Sequence, residues 1–327
     1  MSKLRGSFGA SAYGGPGWSG RTRPHCAEIG DVWADCGVGD EWSTLRAVLL
    51  HRPGPELVSA GDPDAVQMLA PIDLGKAQGE HDAIAQAYRD HGVEVHLVAP
   101  DAVAPDGVAQ DGAPPNQMFV ADLMFMTPEG AVLARPASTV RAGEERRVAR
   151  RLADLGIPIL RSLRGTATFE GADAAWLDSR TVLIGRGLRS NAEGIAQVGA
   201  LLEEMGVTVI VVDLPFGTMH LMGTLRFADR DLAVGFPRRV PFAAVEALRA
   251  RGFEVVFLPD EAEAEHGSAL NFVTLGPHKI LMVEGNPATR TFLEAHGVES
   301  LCVPAAELRK AAGAVGCLTG ILWRGEG

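Results

Sequence analysis

Four side chains scattered from Asp122 to Cys317 could carry chemistry together: Asp122, Glu170, His220 and Cys317. A thiolate attacks electrophilic carbon. A histidine moves protons to a leaving amine and from water. Two carboxylates can grip a planar cation with forked N–H donors, which is a guanidinium. A cation bound beside the thiol also favours its thiolate form. The set therefore predicts attack on a guanidinium carbon, with a covalent amidino-thioether on Cys317.

Each residue has an ordinary alternative. Cys317 lies in AAGAVGCLTGILWR, where glycines let backbone and ligand approach the sulfur, but a free cysteine also packs as a small hydrophobe. Asp122 is a lone charge in an apolar, strand-like stretch, and a buried carboxylate is costly unless paired. Glu170 and Asp173 stand three apart, so on a strand they face opposite sides unless Gly171 introduces a bulge. Separate tasks are expected for them, with Glu170 the one nearer a ligand. His220 could be a hydrogen-bonded core histidine. What favours the functional reading is that the four fall at the same point of a recurring unit.

That unit begins at Leu45. Strand-like runs are followed by a helix-period segment, a glycine and a short β-branched strand. The closing piece recurs around Gly92, Gly156, Gly206, Gly252 and Gly297, each placed as a helix C-cap. Helical faces are predicted at Ile84, Ala87 and Tyr88, at Val148, Leu152 and Leu155, and at Val245 and Leu248. Hairpins are expected within 125–133, 174–184, 225–234 and 272–283. Five strand–strand–helix–strand units can close around an axis and so remove exposed sheet edges. The expected fold is a five-bladed α/β propeller over 41–327, its inner strands lining the centre, with Cys317 ending the fifth unit. Residues 1–40, rich in Gly, Ser and Pro, read as an irregular arm that Trp18 and Trp33 could pin to the body.

Composition narrows the partners. A net charge of −11 argues against nucleic acid and anionic membrane. No apolar run is long enough to span a bilayer, and no secretory signal is visible near Met1. The cysteines Cys26, Cys36, Cys302 and Cys317 show no metal-ligand spacing, so neither metal nor organic cofactor is expected. Free thiols suit a reducing cytoplasm. The partner expected is a small guanidino compound. Oligomeric state is open, a homo-oligomer being compatible.

In ordered series, LRAVLLHRPGPEL (45–57), PNQMFVAD (115–122), FEGAD (169–173), IGRGLRSN (184–191), MHLMG (219–223) and GCLTG (316–320) resemble the guanidino-group-modifying, or pentein, superfamily. That superfamily includes arginine deiminases, dimethylarginine dimethylaminohydrolases and amidinotransferases. The resemblance implies a five-bladed propeller, Cys317 as nucleophile and His220 as general acid/base. It implies that Glu170 and Asp122 bind the guanidinium, with Phe119 stacking on it. Arg189 and Asn116 map to carboxylate-binding positions, and Arg141 is placed as a third by its spacing after Asp122.

Three positions depart from arginine deiminases: Met222 stands where an acid is usual, Gly316 where histidine is frequent, and Ala121 where a charge is common. Met222 and the Cys-Leu-Thr sequence look nearer to the dimethylarginine hydrolases, and Met222 is expected in the substrate site to tolerate an N-alkyl group or a substrate other than arginine. Three functions remain open from sequence: a hydrolase, an amidinotransferase in which an amine replaces water, and a non-catalytic binder on the same fold.

Overall fold

The computed structural model describes residues 9–59, 61–98 and 113–325. In chain order the elements are β1 (Leu45–Leu50), α1 (Leu74–Asp90), β2 (Glu94–Leu97), α2 (Val120–Leu123), β3 (Met124–Thr127), β4 (Gly130–Leu133), α3 (Glu144–Asp154) and β5 (Ile159–Ser162). Then come β6 (Ala174–Asp178), β7 (Thr181–Arg186), α4 (Ala192–Glu204), β8 (Thr208–Asp213), β9 (Leu225–Asp229), β10 (Leu232–Gly235), α5 (Phe242–Arg249) and β11 (Glu254–Phe257). The chain closes with α6 (Glu261–Glu265), β12 (Val273–Gly276), β13 (Lys279–Val283), α7 (Pro287–Ala295), β14 (Glu299–Val303), α8 (Val315–Leu318) and β15 (Gly320–Arg324).

The strands form five three-stranded sheets among the described residues, ordered β15-β1-β2, β3-β4-β5, β6-β7-β8, β9-β10-β11 and β12-β13-β14. Each is an antiparallel pair followed, across a helix, by a parallel outer strand. The five glycines foreseen as caps all have positive φ, between 74° and 88°, directly after α1, α3, α4, α5 and α7. That left-handed turn costs a residue without Cβ little and sends the chain back to the sheet. The predicted helix faces are inward: Ile84, Tyr88, Val148, Leu152, Val245 and Leu248 are all buried.

One expectation is corrected. Cys317 does not end the fifth blade. Strand β15 pairs antiparallel with β1, with Val48 opposite Ile321 and Leu49 opposite Gly320, so the C-terminus supplies the inner strand of the first blade. Blade five already has its three strands, and the open edge left for the last segment is that of β1. The ring is closed by its own two ends. The inner strands touch their neighbours, β15 against β3 and β9 against β12, and the short turns preceding them crowd together at one end of the axis.

The N-terminal segment is held by its backbone. Gly37 N donates to Leu322 O at 2.9 Å and Arg324 N returns a bond to Gly37 O at 3.0 Å. Gly37 has φ of 124°, and a Cβ there would lie 2.9 Å from Pro128 O, so glycine alone fits. His25 Nε2 bonds Glu129 O and its ring meets Trp33 edge-on. Trp18, expected as a second pin, is instead exposed, because the contacts that seat the arm lie beyond it. Among the described residues no helix is long and apolar enough to cross a membrane.

His81, on the buried face of α1, carries a testable consequence. It is fully buried, and neither ring nitrogen has a hydrogen-bond partner; the Asp82 carboxylate stands 3.6 Å away. Burial lowers its pKa to about 4 against the partial opposition of Asp82. The unfolded chain therefore binds this proton between about pH 6.5 and 4 and the folded protein does not, so stability falls as pH drops through that window. The loss from this group is about 3 kcal/mol by pH 4. Urea unfolding from pH 7.5 to 4 should show His81→Gln lacking that share of the pH slope. Identical slopes in both proteins would refute the assignment.

Candidate active site

The candidate side chains come from the turns that introduce the inner strands. Asp122 lies on α2, not on a strand as expected: the chain turns helically after Phe119, and the strand begins at Met124. Glu170 precedes a single 3-10 turn, Gly171–Asp173, instead of a bulged strand. Gly171 explains why. A Cβ there would sit 2.0 Å from Met124 O and 2.5 Å from Ala121 O, so only glycine lets the Glu170 turn nest against α2. His220 caps the turn Leu221–Gly223 before β9, and Cys317 lies on α8 before β15.

The turns bring a dense charge cluster together. His220 Nε2 is 2.7 Å from Glu170 Oε2 and 3.8 Å from Asp122 Oδ1. Arg141 Nη1 donates to Asp122 Oδ2 at 2.7 Å and lies 3.4 Å from Glu170 Oε2, while its Nε donates to Glu144 Oε2 at 2.9 Å. Its guanidinium carbon stands 5.8 Å from the centroid of the Phe119 ring. Arg189 Nη1 adds contacts of 3.4 Å to both Glu170 oxygens. Asp122, Glu144, Glu170, Arg141, Arg189 and His220 are all buried.

The electrostatics follow from this packing. Burial would lower the His220 pKa, but the carboxylates of Asp122, Glu170 and Asp173 outweigh it and raise the value to about 9, so the imidazolium is favoured at neutral pH. Burial would raise Glu170, yet its bond to His220 and the charges of Arg141 and Arg189 bring it below the ordinary carboxylate value. Glu144 is pushed up to about 7 by burial, with Arg141 opposing. The Cys317 thiol is raised, first by burial and then by the Asp122 charge; Asn271 and Arg226 act in the opposite direction.

These groups surround one cleft, lined by Phe119, Asp122, Arg141, Arg189, His220 and Cys317, with Gln67, Asn116, Met219, Ala311 and Ala312 completing the wall. Its free volume is about 20 Å³, the room of a single water. Phe119 reaches its place because residue 313 is glycine: a Cβ there would come within 2.3 Å of the ring. Asn116 is on the wall, with its Nδ2 donating to Val66 O at 2.8 Å.

Three expected ligand contacts are placed otherwise. Glu170 is wholly buried among His220, Arg141 and Arg189 and is not on the cleft wall. Asp173, expected at the substrate, accepts from Ser190 Oγ at 2.6 Å and from Leu221 N at 3.0 Å; it fixes the turn that presents His220. Met222 points away from the cleft, into a separate cavity of about 70 Å³ shared with Arg226, Glu41 and Trp176. It lies on the 3-10 turn after His220 and is not on the cleft wall where an N-alkyl group was expected to meet it.

Sequence reading missed Asn271, Ser190 and Gln67. Ser190 Oγ links the two acidic residues, accepting from the Glu170 backbone N–H at 3.1 Å while donating to the Asp173 carboxylate. Asn271 precedes β12, the same point of its blade as the other four residues, and that equivalence was the available signal. Asp122, Glu170 and His220 are also the one trio among the described residues with metal-like spacing, their ligand atoms within 4.8 Å of one another. Arg141 Nη1 stands beside two of them, 2.7 Å from Asp122 Oδ2 and 3.4 Å from Glu170 Oε2.

Comparison with known proteins agrees with this architecture. Residues 70–320 match the family described as N,N dimethylarginine dimethylhydrolase, eukaryotic. A dimethylarginine dimethylaminohydrolase of Streptomyces coelicolor is 29% identical over 274 residues, spanning 84% of this chain and 96% of that protein. The Pseudomonas aeruginosa enzyme of the same name is 27% identical over 278 residues, 84% of this chain and 98% of that one. In three dimensions, a Pseudomonas aeruginosa dimethylarginine dimethylaminohydrolase complexed with citrulline superposes with a TM-score of 0.69 at 22% identity, covering 86% of this chain and all of that one. The N-terminal domain of ArgZ, covalently bound to a reaction intermediate, gives 0.71 at 20% identity over 84% of this chain and 96% of that one. The fold and the site define a pentein. Within that superfamily, the chain belongs to the N,N-dimethylarginine dimethylhydrolase family.

Proposed function

We propose that the protein is a cysteine-dependent hydrolase of the guanidino group of arginine-type compounds, N-substituted arginines foremost. The observation that carries this is Arg141: the cleft already holds a guanidinium, gripped by three carboxylates beside an aromatic ring and walled by Cys317 and His220. Phe119, Met219, Ala311 and Ala312 supply an apolar wall against which N-methyl groups can lie.

In this reading Cys317, its thiol raised by burial and then by Asp122, loses its proton to solvent as the substrate cation binds and offsets the Asp122 charge. The sulfur adds to the guanidinium carbon, forming a C–S bond. His220 gives a proton to the departing amine as the C–N bond breaks. Its Nε2 is engaged by Glu170, so Nδ1 is the nitrogen left for this transfer. Water then adds to the amidino carbon, His220 takes a proton from it, and the C–S bond breaks to release a ureido product and the cysteine. The decisive assay offers arginine, N-methylated arginines and small guanidines, with ureido product and released amine measured together. Product that forms only with an added amine acceptor would overturn the hydrolase in favour of an amidinotransferase.

The same geometry gives a prediction for Arg141. Its guanidinium stands where the substrate's would sit, so it must swing aside, where it can meet a substrate carboxylate. Arg141→Ala should raise KM about 10- to 100-fold for amino-acid substrates, the range for loss of a charge-assisted pair. Carboxylate-free alkylguanidines should gain, because their site is vacated. Equal effects on both substrate classes would contradict this displacement.

A further inference from the structure

We infer that Asn271 is a positioning residue for the nucleophile, holding the Cys317 sulfur as an acceptor of its side-chain amide hydrogen bond. This rests on the reading of Cys317 as nucleophile and extends it to the fifth blade, which contributes nothing to the charge cluster. Asn271 Nδ2 donates to Cys317 Sγ at 3.0 Å. Asn271 Oδ1 accepts from Gly316 N at 2.7 Å and Cys317 N at 3.2 Å. Because an amide oxygen must face those two backbone donors, the nitrogen faces the sulfur, and the orientation is dictated by the network.

The segment is itself anchored. Asn271 N donates to Ser268 O at 2.9 Å, and Gly316 N reaches Asn271 O at 3.3 Å. Next along the chain, the Phe272 carbonyl accepts from the Arg226 guanidinium, which lies 5.6 Å from the centroid of the Phe272 ring. Gly316 then has a physical reason. A Cβ there would stand 3.0 Å from Asn271 Oδ1 and 3.3 Å from Met222 Sδ, so a side chain before the nucleophile would press on the amide. Glycine at 316 and asparagine at 271 are parts of one device.

The chemistry requires an amide rather than an acid. An N–H directed at sulfur is stronger when the sulfur is charged, and so stabilises the thiolate over the thiol. A carboxylate in the same place would retain the two backbone contacts but set a negative charge against the thiolate. Asn271→Asp therefore separates donation to sulfur from the holding of α8.

The test is the pH dependence of Cys317 alkylation by iodoacetamide in the full-length protein, read by peptide mass spectrometry, with the other three cysteines as internal controls. For Asn271→Asp the Cys317 rate at pH 8 should fall about tenfold and its midpoint rise by about one unit, with the melting temperature unchanged. Asn271→Ala should shift the profile in the same direction. Wild-type profiles in the folded variants overturn the proposal; if Asn271→Ala does not fold, Asn271→Asp decides alone. The readout needs no turnover, so it stands apart from the nucleophile reading, which fails separately if a Cys317→Ala enzyme remains active.

Discussion

Replacing Cys317 with alanine should abolish turnover, by about 10⁴-fold or more, while leaving the protein folded. The thiol is only partly exposed at the cleft, on a four-residue helix whose Gly316 and Cys317 N–H groups are held by Asn271. The charge cluster does not include the sulfur and should keep its affinity for cationic substrates. Substrate should therefore still raise the melting temperature of Cys317→Ala, without ureido product. Turnover near the wild-type rate would end the covalent mechanism and with it the proposed function.

Glu170→Gln should be nearly as damaging and, in addition, destabilising. Glu170 does not line the cleft, yet it joins His220, Arg141, Arg189 and the Ala137 N–H in one buried knot. An amide of the same shape leaves three cationic groups with one carboxylate fewer, and breaking a buried ion pair from one side costs about 3–5 kcal/mol. Part of that loss can be relieved if His220 deprotonates, because removing the carboxylate lowers its pKa. Less imidazolium at neutral pH means a weaker proton donor to the leaving amine, so kcat should fall about 10²- to 10⁴-fold. The arm of the kcat profile set by His220 should move to lower pH. A variant slow but unchanged in pH profile would show that Glu170 acts through stability alone.

The comparison of sequence with structure turns on repetition. Five helix-ending glycines and four hairpins were readable because each is local: a cap needs positive φ, and a two-residue turn such as Pro128-Glu129 needs only its neighbours. Counting along that repeat set Asp122, Glu170 and His220 at the openings of three units, but it put Cys317 at the end of the fifth, whereas the following strand belongs to the first blade. The helical setting of Asp122 was not legible, since α2 spans only four residues and its apolar composition fits a strand equally well. Nor was the turn at Gly171, whose cause is contact with the carbonyls of Ala121 and Met124 in another blade.

Residue order alone, then, carried the five-part ring, the glycine-framed segment around Cys317 and the candidate set of Asp122, Glu170, His220 and Cys317, because periodicity and residue chemistry are properties of short stretches. Folding in three dimensions decided who touches whom. It gave β15 to the first blade, moved Asp173 and Met222 off the reacting surface, set the Arg141 guanidinium between Asp122 and Glu144, and brought Asn271 to the sulfur. Those outcomes depend on ring closure, where residues remote in sequence compete for the same small volume at the axis and only the packed whole determines which of them fit.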